Sequence, residues 1–126
     1  MTREAISTGS APAAIGPYSQ AIASDGLVFC SGQLGLDPAT GNLLEGVEAQ
    51  AERAMLNLRS VLDAAGLTFA DVAKTTIFLV DMGDFGAVNA IYGRFMPDPP
   101  PARSTVQVAG LPKGGRVEIE AIARHA

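Results

Sequence analysis

The 126-residue sequence has one cysteine, one histidine and no tryptophan. A single cysteine excludes an internal disulfide framework, and one cysteine with one histidine is too few for a structural zinc site. No run approaches the 18 or so apolar residues of a membrane-spanning helix, and the N-terminus has no apolar signal segment. These absences lead us to expect a cytoplasmic protein in a reducing compartment, without a metal ion and without contact with a membrane.

Charge is also scarce, because charged residues make up 17% of the chain against about a quarter in an average domain. Nine basic residues face thirteen acidic ones, so the formal net charge is -4, and no cluster of Lys and Arg is present. Because nucleic-acid binding usually depends on a basic patch that neutralises phosphates, the sequence argues against a nucleic-acid-binding protein. So few charges on a small domain favour self-association, which removes part of its surface from water.

A single domain over residues 1–126 is expected, because no linker, internal repeat or low-complexity tract divides the chain. Residues 19–31 are typical of two β-strands joined by a tight turn at Asp25-Gly26. In residues 47–62 apolar side chains recur at three- and four-residue steps, which predicts a helix, and Gly66 is expected to end it.

The second half of the chain repeats the change from strand to helix. Residues 72–80 are rich in β-branched side chains and short enough for a strand. Asp84 is expected to cap a second helix. The predicted buried stripe of this helix is Phe85, Val88, Tyr92 and Phe95.

The last third of the chain begins with a proline-rich segment, 97–101, which excludes regular structure. Two strands follow, near 102–109 and 116–123. The predicted order β-β-β-α-β-α-β-β indicates an α+β fold in which about six strands form a sheet with both helices on one face. Since no third helix is available for the other face, subunit contacts are expected there.

Arg103 is the first candidate for chemistry. It follows three prolines and Ala102, so a stiff backbone delivers it to the start of a strand. Strand alternation places Arg103, Thr105 and Gln107 on one face. The guanidinium could bind a substrate carboxylate through two parallel hydrogen bonds, and the ordinary alternative is a strand-edge arginine paired with a local acid.

Glu118 and Glu120 share one face of the last strand. A carboxylate near an arginine in a cleft can activate water or move a proton, whereas a solvated strand carboxylate is the commoner case. Alternation alone does not say which of the two is buried. If the last two strands paired as a hairpin, the face that carries Arg103 and the face that carries Glu118 could coincide.

Three other polar positions have both a functional and an ordinary interpretation. Cys30 is interpreted as a small buried hydrophobe, because the only histidine, His125, lies beside the C-terminus and no base serves the thiol. Ser31 leaves its strand for a loop, where its hydroxyl could contact a ligand or stabilise a turn. Asn89 lies on or near the buried face of the second helix, as a ligand contact or a structural hydrogen bond. No phosphate-loop, metal-ligand or nucleophile motif occurs, so no cofactor is expected.

Five motifs occur in order along the chain: 14–20 (AIGPYSQ), 31–33 (SGQ), 37–41 (DPATG), 88–92 (VNAIY), and 101–104 (PARS) continuing to 117–123 (VEIEAIA). Together they resemble the RidA (YjgF-like) family of reactive-intermediate deaminases. The resemblance extends from about Ile15 to Ala123, which is nearly the whole chain.

The resemblance implies a chorismate-mutase-like α+β fold with a six-stranded, mostly antiparallel, mixed sheet and two helices on one face. It implies assembly as a homotrimer with three clefts between subunits. It further implies a 2-iminobutanoate/2-iminopropanoate deaminase, which hydrolyses reactive enamines and imines of the 2-aminoacrylate type to 2-keto acids and ammonia. Pyridoxal-phosphate enzymes release these substrates, so the role would be the control of metabolite damage, and no cofactor is needed.

The resemblance also assigns roles by position. Arg103 would hold the substrate carboxylate, and Glu118 would orient or activate the attacking water. The backbone of Thr105 would contact the imine nitrogen or that water. The residues that would line the pocket are Tyr18, Ser31 and Asn89.

Two departures from the family pattern lie close to Arg103. Thr105 stands where the best-known members carry cysteine, and because the contact there is made by the backbone, threonine should preserve function. Residues 95–101 form a shorter and more proline-rich segment than usual, so the pocket size and substrate preference are the least transferable features.

Two other function classes stay open. One is a non-catalytic regulatory trimer that binds small carboxylates in the same cleft, since a fold can lose chemistry and keep its pocket. The other is a ribonuclease or translation inhibitor, and the acidic charge balance counts against it.

Overall fold

A computed structural model describes residues 2–125, which form one six-stranded sheet with two α-helices. The strands are β1 (Glu4–Ile6), β2 (Ala21–Ser24), β3 (Leu27–Leu34), β4 (Val72–Leu79), β5 (Ala102–Gln107) and β6 (Val117–Arg124). The helices are α1 (Val47–Ala64), between β3 and β4, and α2 (Phe85–Gly93), between β4 and β5. The predicted order of elements and the α+β class are confirmed.

The strands lie across the sheet in the order β1-β2-β3-β6-β4-β5. All neighbours are antiparallel except β4 and β5, which are parallel and joined through α2. The sheet is therefore mixed and mostly antiparallel, as expected. The hairpin considered for the last two strands is wrong, because β4 lies between β5 and β6. β4 buries alternate side chains, whereas β5 is exposed at almost every position, so the polar strand takes the edge and the apolar strand takes the interior.

Two local predictions are confirmed by backbone geometry. Asp25 and Gly26 join β2 to β3 with φ values of 53° and 77°, the left-handed pair that a two-residue hairpin of matching twist requires. At the end of α1, Gly66 adopts φ 77°, and its N–H donates to the Asp63 carbonyl at 2.9 Å. A left-handed glycine at this position satisfies a carbonyl that the helix leaves free.

The hydrophobic core lies between the helices and one face of the sheet. α1 packs against β3, β6 and α2. Its fully buried side chains, at three- and four-residue spacing, are Ala54, Met55, Leu58, Val61 and Leu62. The sheet side chains that meet them, at alternate positions of β4 and β6, are Ile77, Leu79, Val117 and Ile119. Burial of a large aliphatic side chain contributes about 1.5–3 kcal/mol, so this layer stabilises the fold.

The start of α2 differs from the prediction that Asp84 caps it. The Asp84 backbone is helical, and its side chain makes no capping hydrogen bond. Instead both of its oxygens accept hydrogen bonds from Arg116, at 2.9 and 2.8 Å. A charge-assisted pair of this kind is stronger than a single bond to a backbone N–H. The side-chain cap in this region is Asp81, which accepts from the Gly83 N–H at 2.8 Å.

The second face of the sheet is uncovered by any helix within residues 2–125. Phe29 on β3 and Val106 on β5 lie on this face and are 43% and 41% exposed. Ile15 and Tyr18, in the segment before β2, are also largely exposed. Large apolar side chains exposed on a face that no helix covers favour association, so the expectation of subunit contacts stays a prediction that this face supports. No helix in the described part of the chain is long and apolar enough to cross a bilayer.

Candidate active site

Arg103 and Glu118 lie on opposite faces of the sheet. Arg103 is the register partner of Thr75 on β4, and Glu118 is the partner of Phe78 on the same strand. Thr75 is 1% exposed beneath the helices, and a step of three residues along a strand reverses the side-chain direction. The idea that the two faces coincide in one chain is therefore wrong. The insertion of β4 between β5 and β6 sets this register, and sequence periodicity cannot specify it.

The first group of candidate residues surrounds Arg103 on the helix side. The Nη1 atom of Arg103 donates to Asn89 Oδ1 at 2.7 Å. The guanidinium carbon lies 5.5 Å from the centre of the Phe85 ring and 5.1 Å from that of Tyr92. Phe85, Asn89 and Tyr92 are four and three residues apart, so they form one stripe of α2. Asn89 is exposed and not on the buried face. Its Oδ1 makes a structural hydrogen bond with Arg103, and its predicted contact with a ligand stays a prediction.

The Arg103 guanidinium forms no ion pair with any carboxylate within residues 2–125. The ion pair with a local acid, which the ordinary interpretation of Arg103 requires, is therefore absent from this part of the chain. A guanidinium carries five N–H donors in a planar fork, and the bond to Asn89 uses one of them. The remaining donors suit a planar anion such as a carboxylate.

Thr105 lies two residues beyond Arg103 on the same strand face, under the helices. Its Oγ1 is buried and makes no hydrogen bond to any other residue in the range 2–125. As part of the edge strand β5, it lies where half of the backbone hydrogen-bonding groups have no strand partner. The predicted substrate contact of the Thr105 backbone stays a prediction.

The second group of candidate residues lines a cleft of about 830 Å³ beside the uncovered face of the sheet. It brings together three of the predicted site residues with two further charged side chains and one glycine. The residues concerned are Tyr18, Ser31, Gly32, Lys113, Glu118 and Glu120.

Ser31 lies at an irregularity in β3, where the register with β6 shifts between Cys30 and Gln33. Bulges of this kind redirect side chains and are common beside active sites. The Ser31 hydroxyl donates to the Ser19 carbonyl at 2.6 Å, so it ties β3 to the segment that carries Tyr18. The structural interpretation of the Ser31 hydroxyl is seen here, and its contact with a ligand stays a prediction that its place on the cleft wall supports.

Gly32 lets the Glu118 side chain lie directly against the β3 backbone. A Cβ atom at Gly32 would stand 2.8 Å from the Glu118 carboxyl carbon, closer than any side chain tolerates. The motif SGQ contains this glycine, but only the structure shows which residue needs it.

Glu118 is the half-buried carboxylate of the pair, and Glu120 is exposed. Burial raises the pKa of Glu118, and the neighbouring Glu120 charge raises it further. A carboxyl whose pKa moves toward neutrality is better matched to proton transfer at physiological pH. The question that alternation left open is thus answered in favour of Glu118.

Cys30 is 5% exposed, and burial raises the pKa of its thiol to about 11. Such a thiol is neutral and unreactive at physiological pH, as its interpretation as a buried hydrophobe predicts. In the described part of the chain, no three side chains of the types that bind metals are grouped together.

Two residues that shape the cleft are not among the candidate site residues predicted from the sequence. Gln20 is buried, and its side chain accepts from the Thr8 N–H at 2.7 Å and donates to the Pro12 carbonyl at 2.8 Å. It therefore holds the segment that leads to Tyr18. Lys113 adopts a left-handed backbone, with φ 59°. The glycine pair that follows it marks this stretch as a turn in the loop before β6.

Both groups of residues lie within the part of the chain that matches known proteins. Residues 8–125 match the family described as Endoribonuclease L-PSP. The chain is 56% identical to Protein DfrA of Myxococcus xanthus, over 98% of this chain and 96% of that protein. It is 55% identical to 2-iminobutanoate/2-iminopropanoate deaminase of Mus musculus, over 96% and 90%. The crystal structure of E. coli TdcF with bound serine has a TM-score of 0.92 and 42% identity, covering 98% of this chain and 99% of that one.

Proposed function

The chain belongs to the Endoribonuclease L-PSP family, the RidA/YjgF family, and from this premise we propose that it is a deaminase of reactive 2-imino acids and their enamine forms. Relatives 49–55% identical over nearly the whole chain are named 2-iminobutanoate/2-iminopropanoate deaminase. The reaction adds water across the C=N bond and releases ammonia and a 2-keto acid. The addition requires a held substrate and a water, and both steps require a group that moves protons.

The observation that carries this proposal is the Arg103 guanidinium, which is oriented by Asn89 and free of acidic partners within residues 2–125. A 2-imino acid presents a planar carboxylate beside the reacting carbon. Two parallel hydrogen bonds from Arg103 would fix that carboxylate and with it the position of the C=N bond. The positive charge also offsets the repulsion that a protein of net charge -4 exerts on an anionic substrate.

Glu118 supplies the proton transfer in this proposal. As a carboxylate it takes a proton from water while the water oxygen bonds to the imine carbon, and as a carboxylic acid it passes that proton to the imine nitrogen, which gives a carbinolamine. It then takes the carbinolamine hydroxyl proton and passes it to the amine as the C=O bond forms and the C–N bond breaks, so ammonia leaves and the carboxylate is regenerated. The raised pKa of Glu118 makes its carboxylate a stronger base toward water than an ordinary glutamate. An imine is already electrophilic, so no covalent nucleophile is required.

We further propose that the complete site needs two copies of the chain. In one chain Arg103 and Glu118 project from opposite faces of the sheet. In a homotrimer, the uncovered face with Glu118, Tyr18 and Ser31 would meet the Arg103 side of its neighbour, giving three equivalent clefts. The exposed apolar side chains on that face support such an assembly.

The direct test generates 2-iminobutanoate in the assay from threonine with a pyridoxal-phosphate dehydratase and measures the rate of ammonia release. Addition of the protein should accelerate the release, and Arg103→Ala and Glu118→Gln should each reduce the acceleration to a few per cent or less of that of the wild type. Binding of 2-oxobutanoate without any acceleration would instead support a non-catalytic carboxylate-binding protein. Cleavage of RNA that survives a salt titration and is lost in Glu118→Gln would point to the ribonuclease alternative.

A further inference from the structure

One stripe of side chains on α2 contacts Arg103. Phe85, Asn89 and Tyr92 all contact the Arg103 side chain, two through an aromatic ring and one through an amide oxygen. Phe85 packs against the hydrophobic core but is only half-buried, so part of its ring stays available to Arg103. A cation near the face of an aromatic ring is attracted by the ring quadrupole, which gives the ring a use that an aliphatic side chain lacks.

The Tyr92 ring is itself fixed from the sheet. Its hydroxyl lies 2.7 Å from the Thr75 Oγ1, and both side chains are buried. Thr75 is the strand partner of Arg103. Thr75 and Arg103 are thus connected twice, once through the β4–β5 pairing and once through the Tyr92 side chain. Together these contacts restrict where the guanidinium can lie.

We propose that Phe85 and Tyr92 are positioning residues, which hold the Arg103 guanidinium so that its unused donors meet a planar monocarboxylate. An arginine side chain left free would lose rotamer freedom on binding the substrate, and a side chain already held loses less. The two rings therefore set the affinity for the carboxylate of the substrate and leave the chemical step unaffected. This inference rests on the proposed deaminase function for its substrate class.

The test compares two Phe→Leu variants. Phe85→Leu removes a ring from Arg103, whereas Phe69→Leu removes a ring that is buried in the core, outside the Arg103 group. For Phe85→Leu we expect KM to rise about two- to fivefold, the loss that one cation–π contact predicts, with kcat retained. Phe69→Leu should leave KM unchanged, and Phe85→Tyr should have the KM of the wild type.

Binding of 2-oxobutanoate and of its uncharged amide, measured by calorimetry, gives a readout independent of turnover. Phe85→Leu should weaken binding of the acid and leave that of the amide unchanged. An unchanged KM in Phe85→Leu, or equal weakening of acid and amide, would overturn the positioning role while the deaminase proposal stands. A wild-type protein that binds the acid but shows no turnover would refute the deaminase proposal. Selective weakening of acid binding in Phe85→Leu would still support the positioning role in that case.

Discussion

A site shared between two chains can be tested by mixing two inactive variants. Arg103→Ala removes the substrate anchor, which is worth roughly 2–5 kcal/mol for a charge-assisted pair, so kcat/KM should fall at least about 30-fold. Glu118→Gln removes the proton-transfer group and should cost about 10²–10⁴-fold. Each variant alone is therefore expected to retain no more than a few per cent of the wild-type activity.

Assembly of the two variants at equal amounts changes that result if Arg103 and Glu118 of one site come from different chains. A site works when the arginine comes from a Glu118→Gln chain and the glutamate comes from an Arg103→Ala chain. Random cyclic assembly makes this combination at about a quarter of the sites. The mixture should therefore recover about a quarter of the wild-type specific activity, measured as ammonia release after joint unfolding and refolding.

Two controls make the result decisive. A tag on one variant, followed by pull-down of the other, establishes that mixed trimers have formed. Wild type refolded with the double variant should fall from half to about a quarter of the wild-type activity, because neighbouring copies must both be intact. Verified mixed trimers whose activity stays at the level of the single variants would refute a shared site.

Three further predictions concern single residues. Gly32→Ala should lower kcat at least about tenfold by displacing Glu118 from its position, whereas Gly9→Ala, where a Cβ meets nothing within 4 Å, should be neutral in the same assay. Because the folded-state pKa of Glu118 is raised, its protonated form is favoured on folding, and this contribution is present at low pH and lost as pH rises through that pKa. Glu118→Gln should therefore raise the Tm at neutral pH, by a margin that shrinks on acidification, and an unchanged margin would contradict the assigned burial. Thr75→Val leaves the buried Tyr92 hydroxyl without its partner and should lower the free energy of unfolding by about 1–3 kcal/mol in urea titrations; a neutral result would contradict that bond.

Local patterns predicted local structure well in this chain. The Asp25-Gly26 turn, the helix that Gly66 ends and the strand after it all follow from interactions within a few residues, so composition and spacing were sufficient. The same holds for the burial of Cys30. Asp84 shows the limit, because its position before a helix predicted a cap, while a residue 32 positions away, Arg116, takes its side chain.

The sequence by itself determined the elements, their order, the uncovered sheet face and, through its motifs, the family and the candidate residues. Only the tertiary structure decided that β4 separates β5 from β6, which places Arg103 and Glu118 on opposite faces, and that Glu118 is the half-buried carboxylate of its pair. It alone revealed the ring contacts of Arg103. The physical reason is that strand pairing depends on contacts between segments that are distant in the sequence. Periodicity shows only which side chains of one strand share a face, and a shift of one residue in the pairing exchanges the two faces.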